Sequence, residues 1–210
     1  MISIITSISD KAGFENLKRS LINLEPDWSL GVDIICLVRD EKLYVESRNF
    51  LRENVDRGEC LVLFSEADEP FKEGVDIVTD KNPYVYLASE KVLIPRGAVT
   101  KLYRDYLEKP KAGLISGRFL EYPTVYWVKD VYGELPHYIY SNEKDIGLGL
   151  LMGIDTCTTS GLMTKTDLYR ELFGFSDLDG YGGYSFGIRL RRQGYKNYLD
   201  TGVELKFGGN

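Results

Sequence analysis

Four kinds of side chain in this sequence can do chemistry, and their spacing limits each of them. The single histidine, His137, lies in an aromatic-rich stretch, where a lone imidazole reads as a surface or hydrogen-bonding residue. Cys36, Cys60 and Cys157 have no C-x-x-C spacing and are odd in number, so they read as buried, reduced thiols. Arg189, Arg191 and Arg192 look at first like phosphate ligands, yet the helix face they share reads as solvated. Asp177 and Asp179, two apart in SDLDGYGGYS, are a carboxylate pair within reach of proton chemistry, and equally a turn or helix cap, which Asp favours on its own account. The glycines that follow, Gly180, Gly182 and Gly183, open a helix with residues poor at forming one. Their permissive backbone would let that loop fold back towards a ligand.

The elements that must carry these groups belong to one globular unit, 1–210. The chain has 210 residues, 43% hydrophobic and 28% charged with scattered polarity, enough for a single core and unlike a disordered segment. A net charge of −6 gives no general attraction for phosphate backbones and disfavours nucleic acid as a partner. The longest apolar runs, such as GLGLLMGI at 147–154, are short of the roughly 20 residues of a membrane span. MISIITSISD lacks a basic region before its apolar run and reads as a first strand rather than a signal peptide, which points to the cytoplasm.

Strands alternate with helices along the first half. ISIITS at 2–7 is a β-branched run, and Asp10 then opens a helix with Phe14, Leu17, Leu21 and Leu24 on one face. VDIICLV at 32–38 is continuously apolar, as in a strand buried on both faces, and 41–55 is helical in pattern. CLVLF (60–64), VDIV (75–78) and YVYLA (84–88) read as further strands, and Pro95 with Gly97 starts a helix to about Leu107. The order βαβαββα predicts a mostly parallel sheet with right-handed crossovers. Ligands of such sheets bind beyond the carboxyl ends of the strands, here just after Ser7, Val38 and Ala88. From 113 to 140 aromatics alternate with polar and turn residues, which reads as an extended excursion rather than another βα unit. Its rings, among them Phe119, Tyr122, Tyr126, Trp127, Tyr132, Tyr138 and Tyr140, read as packing on the sheet, with lining a cleft as the alternative.

Three strings in succession, ISIITSISDKAGFENLKRSLINL, TTSGLMTKTDLYRELFGF (158–175) and SFGIRLRRQGYKNYLDTGVEL (185–205), together resemble the family 2 glycosyltransferases. The resemblance implies a GT-A fold with a Rossmann-like, mostly parallel mixed sheet, a nucleotide-binding half of about 1–112 and an acceptor-side half of about 113–210. It implies transfer of a sugar, with inversion, from a nucleotide-diphosphate donor to a hydroxyl of a glycan, lipid-linked or protein acceptor. The loop Ser7, Ser9, Asp10 and the end of the second strand, Arg39 and Asp40, would then face the base and ribose, with Asp80 and Ser89 as further donor contacts. Asp10 is equally the cap of the first helix.

The family's D-x-D motif falls on Ala88, Ser89 and Glu90, so one carboxylate, Glu90, remains to hold Mn²⁺ or Mg²⁺, weakly and with help from substrate phosphates. The family's metal-associated histidine after the final strand is replaced by Lys206 and Phe207, and its acidic pair before the late helix by Gly182 and Gly183. On the resemblance, Asp179, with Asp177 behind it, is the substitute base. The alternative is a catalytically silent protein of the same fold that binds a nucleotide, glycan or protein partner. A nucleotidyltransferase fits less well, because SISDKAGFEN has only Gly13 where a glycine-rich phosphate loop belongs.

Overall fold

Apolar runs and amphipathic stretches assemble into a mixed α/β fold, seen in a computed structural model that describes residues 1–55, 57–119, 151–176 and 185–208, with the backbone of 125–128 and 138–140. In chain order the elements are β1 (Ile2–Ile8), α1 (Lys11–Asn23), a 3-10 turn (Glu25–Leu30), β2 (Val32–Val38), α2 (Glu41–Asn54), β3 (Cys60–Phe64) and α3 (Pro70–Asp76). There follow β4 (Tyr84–Ala88), β5 (Val92–Leu93), α4 (Ala98–Glu108), β6 (Ala112–Phe119), β7 (Val125–Val128), β8 (Tyr138–Tyr140), β9 (Leu151–Ile154) and β10 (Thr156–Cys157). The chain then forms β11 (Leu162–Lys165), α5 (Thr166–Glu171), α6 (Ser185–Arg192) and β12 (Lys196–Phe207).

The main sheet has the order β3-β2-β1-β4-β11-β6-β12-β5, with β9 pairing β12 outside that path. β1, β2, β3, β4, β6 and β12 run one way, and β5, β9 and β11 the other. One continuous sheet therefore crosses both halves of the chain. β10, β7 and β8 form a separate antiparallel sheet.

Period-two alternation divides the core between two faces. Ile4, Ile34 and Cys36 meet Phe14, Leu17 and Leu21 of α1 and Leu51 of α2, and Phe14 meets Phe50 edge-on at 5.8 Å. Ile5, Ile35 and Leu37 meet Val75 and Val78 on the opposite face, in a core shared with Leu168, Phe186 and Leu190. Each fully buried aliphatic side chain contributes about 1.5–3 kcal/mol. The helix starts follow from local chemistry: Asp10 Oδ1 accepts from Gly13 N at 2.8 Å, and Asp40 Oδ1 from Lys42 N and Leu43 N, both at 2.9 Å.

Two readings of the sequence need correction. VDIV at 75–78 is no strand: Pro70 sits in the first turn of α3, and Val75 and Val78 fall three apart on its buried side and just beyond it. A short apolar run does not distinguish the two periods. The start of the supposed excursion, 113–119, instead belongs to the fully buried strand β6, between β11 and β12. Its backbone pairs are supplied from far along the chain, Leu162↔Ser116 and Tyr198↔Ile115. Phe119 does pack as expected, stacked on Phe207 at 4.6 Å.

Candidate functional site

The strand order reverses between β1 and β4. The crossovers through α1 and α2 step outward to β2 and β3, whereas the one through α3 returns past β1 to β4 on the other face. The carboxyl ends of β1 and β4 thus flank a switch point, the crevice where open α/β sheets bind ligands.

Glu90 and Ser9 meet there across 81 residues of sequence. One Glu90 carboxylate oxygen accepts from the Ser9 backbone N–H and the other from the Ser9 hydroxyl at 2.6 Å. Beneath them Gly13 sits so close that a β-carbon on it would lie 2.8 Å from Glu90 Cβ and 2.9 Å from Oε2. The carboxylate rests over the first turn of α1, where the unpaired N–H groups and the helix dipole favour negative charge. Asn16 Nδ2 donates to the Glu90 carbonyl at 2.9 Å, and Ser89 N–H donates to Ser160 Oγ at 2.7 Å. Gly208 N–H, from the end of β12, donates to the Lys91 carbonyl at 2.9 Å and closes the rim.

The sequence candidates separate into three groups. Ser7, half-buried near the end of β1, Ser9, Asp10, Ser89 and Glu90 come together at the switch point. Asp10 acts there as the α1 cap, and Asp40 as the α2 cap. Arg39 leans away, with Nη2 donating to the Ala67 carbonyl at 2.6 Å, and holds the segment after β3 against the end of β2. Asp80 is not part of the cluster: it precedes β4, at the amino end of the parallel strands, is fully exposed, and faces Arg170 at 4.0 Å. Asp177, Asp179, His137, Gly182 and Gly183 lie outside the described residues.

Of the arginines of α6, Arg191 and Arg192 are exposed, as expected, whereas Arg189 is half-buried and tied down. Arg189 donates to the carbonyls of Leu172 (2.8 Å), Ser176 (3.0 Å) and Gly174, and Arg191 pairs with Asp155. Such a fork closes the carbonyl-rich turn after α5. As expected, Cys36 and Cys157 are buried free thiols; Cys60 is half-buried.

Sequence reading missed Asn16, Ser160 and Gly208, and noted Gly13 only as the lone glycine of SISDKAGFEN. Of the first three, Asn16 alone left a trace, as a polar, weak helix former beside the Phe14–Leu17 stripe, and it is buried.

The described residues alone do not complete a site for a resident divalent cation. Both oxygens of Glu90 are committed to Ser9, and no group of three or more His, Cys, Asp or Glu able to hold a metal occurs among the described residues. Such an ion needs about six oxygen ligands, more than one engaged carboxylate and neutral hydroxyls supply. Nor is any helix among the described residues long and apolar enough to cross a membrane. No protein-family model matches the chain, and no curated protein is significantly similar to it in sequence.

Proposed function

We propose that this chain is a glycosyltransferase of the GT-A type that takes a sugar from a nucleotide-diphosphate donor and passes it to an acceptor hydroxyl. The observation that carries the reading is the Ser9–Glu90 junction at the β1–β4 switch point. It ties the segment the resemblance gives to the nucleotide to the one carboxylate it retains from D-x-D. Glu90 acts through Ser9 as a positioning residue, holding the β1–α1 loop in the shape that receives the donor. Asp179, or Asp177 beside it, takes the acceptor proton. The topology supports the donor half of this reading and leaves the acceptor open.

The test is calorimetric titration with UDP, GDP, CDP and ADP, each with and without Mn²⁺, on the wild type and on Glu90→Ala. One nucleotide binds the wild type, and Glu90→Ala weakens it about tenfold, the loss of roughly 1.4 kcal/mol of positioning. Failure of all four to bind overturns the proposal. A second reading, a silent binding protein, draws on Ala88, Gly182 and Gly183 standing where the resemblance places carboxylates. It requires that no donor sugar release nucleoside diphosphate, whether the bound partner is a nucleotide, a glycan or a protein.

A further inference from the structure

The outer edge of the sheet is β3, and it carries none of the devices that keep edge strands apart. CLVLF has no charge, proline or glycine, and among the described residues nothing pairs with its outer side. Glu59 O accepts from Ile34 N and Ser65 N donates to Val38 O, so odd-numbered residues turn their backbone towards β2. The N–H and C=O groups of Cys60, Val62 and Phe64 consequently point outward. Around this edge Val45, Leu61 and Phe64 are 55%, 43% and 43% exposed.

Two grooves adjoin along the edge. One, of about 680 Å³, is lined by Glu41, Lys42, Tyr44, Val45, Glu46 and Phe64 at the start of α2. The other, of about 580 Å³, is lined by Arg48, Arg52, Val55 and Cys60 towards its end. The first is net acidic, with Glu41 and Glu46 against Lys42, and the second carries the guanidinium groups of Arg48 and Arg52. A two-fold axis exchanges the ends of β3 and of α2, so each groove would face its electrostatic opposite.

We propose that two copies of this chain pair through β3, antiparallel about a two-fold axis at Val62, to make one continuous sheet. Val62 then opposes its own copy, and Phe64 opposes Cys60 of the second molecule, each pair exchanging two backbone hydrogen bonds. Phe64, on the α2 face, enters the basic groove beside the other chain's Cys60. Leu61 and Leu63, on the opposite face, meet Leu63 and Leu61 of the second copy. α2 packs more on β3 than on β2, so the two α2 helices stand about two strand spacings apart, roughly 10 Å. That is close to direct helix packing at 8–10 Å, so side chains of Tyr44, Val45 and Phe64 meet across the seam and Glu46 bridges to Arg52. The arrangement closes after two copies and leaves no exposed β3 edge.

Sedimentation equilibrium of the full chain from about 1 to about 100 μM tests it, with dimer expected to dominate at the upper end. Phe64→Lys should weaken association by about tenfold or more, with far-UV circular dichroism and melting unchanged. Glu46→Arg and Arg52→Glu should each weaken it, and the double variant should recover to within about threefold of the wild type, because reversing both partners restores complementarity. A wild type that stays monomeric throughout overturns the proposal. So does a dimer indifferent to Phe64→Lys, or a double reversal no better than its singles.

Discussion

Gly13→Ala tests whether the Ser9–Glu90 junction is rigid, because two effects of opposite sign meet at that position. Replacing glycine by alanine in a helix ordinarily stabilises by about 0.5–1 kcal/mol, through the unfolded chain's lost freedom. Here the new methyl would meet Glu90 Cβ at 2.8 Å and Oε2 at 2.9 Å. Overpacking of that kind costs about 1–3 kcal/mol where the neighbour cannot move. If Glu90 moves instead, its bonds to the Ser9 N–H and hydroxyl are lost. Water replaces part of that loss, since the site is half-open, so about 1 kcal/mol is the fitting figure. The net expectation is a destabilisation of about 1–2 kcal/mol, seen as a fall in melting temperature of about 3–6 °C for a chain of this size.

Urea denaturation of wild type, Gly13→Ala, Glu90→Gly and the double variant completes the comparison. Glu90→Gly removes the atoms the methyl would strike, so in that background Gly13→Ala should stabilise, with a coupling between the positions of about 2 kcal/mol. The reasoning is refuted if Gly13→Ala stabilises the wild type as much as it stabilises Glu90→Gly. Glu90 would then swing away freely, and the junction would not organise the loop.

Arg189→Ala should cost about 2–3 kcal/mol in a urea titration by stripping donors from the carbonyls of Leu172, Gly174 and Ser176, and Arg189→Lys should recover little because the fork is lost. Asp105 is pushed up to about 6 by burial and by its hydrogen bond to Asp200, with Lys101 Nζ 2.8 Å from Asp105 and 2.7 Å from Asp200. Its folded-state pKa lies above the unfolded 3.8, so its contribution to stability is complete below about pH 4 and lost as pH rises through about 6. Asp105→Asn should flatten the fall in melting temperature between those pH values, and an unchanged slope would remove Asp105 as its source. Burial pushes the Cys60 thiol up to about 11, that of Cys157 up to about 12 and that of Cys36 further still. A thiol reagent near pH 8 should therefore modify only the half-buried Cys60 in the folded protein, slowly, and the other two only in denaturant.

What could be read from the sequence was whatever one element decides alone. The Phe14, Leu17, Leu21 stripe and the unbroken VDIICLV run fix α1 and β2, and Asp10 and Asp40 mark helix starts, because each signal lies within a few residues. β6 escaped because AGLISGRF mixes glycines, Ser116 and Arg118 with its aliphatics; it is a strand by virtue of neighbours at 162–164 and 196–205. The site was legible in part for the same reason. Glu90 was singled out by resemblance, but its partner Ser9 is 81 residues away, and neither Asn16 nor Ser160 advertises a bond formed only after folding. Asp80 was misplaced because nearness to a strand in sequence does not say which end of the sheet a residue occupies.

The insertion of β11 between β4 and β6 governs how this protein can be born. Leu162–Lys165 bonds to both neighbours at once, and Gly161 bridges Leu87 and Gly117 through its N–H and carbonyl. During synthesis the first four parallel strands can align early, but β4 and β6 have no common partner until residue 165 has left the ribosome. A nascent chain halted near residue 112 should present β4 as an open edge and recruit chaperones, while release beyond residue 165 covers β4 and passes the open edge to β6 until β12 follows. For this chain, vulnerability is a matter of translation timing as well as of final stability.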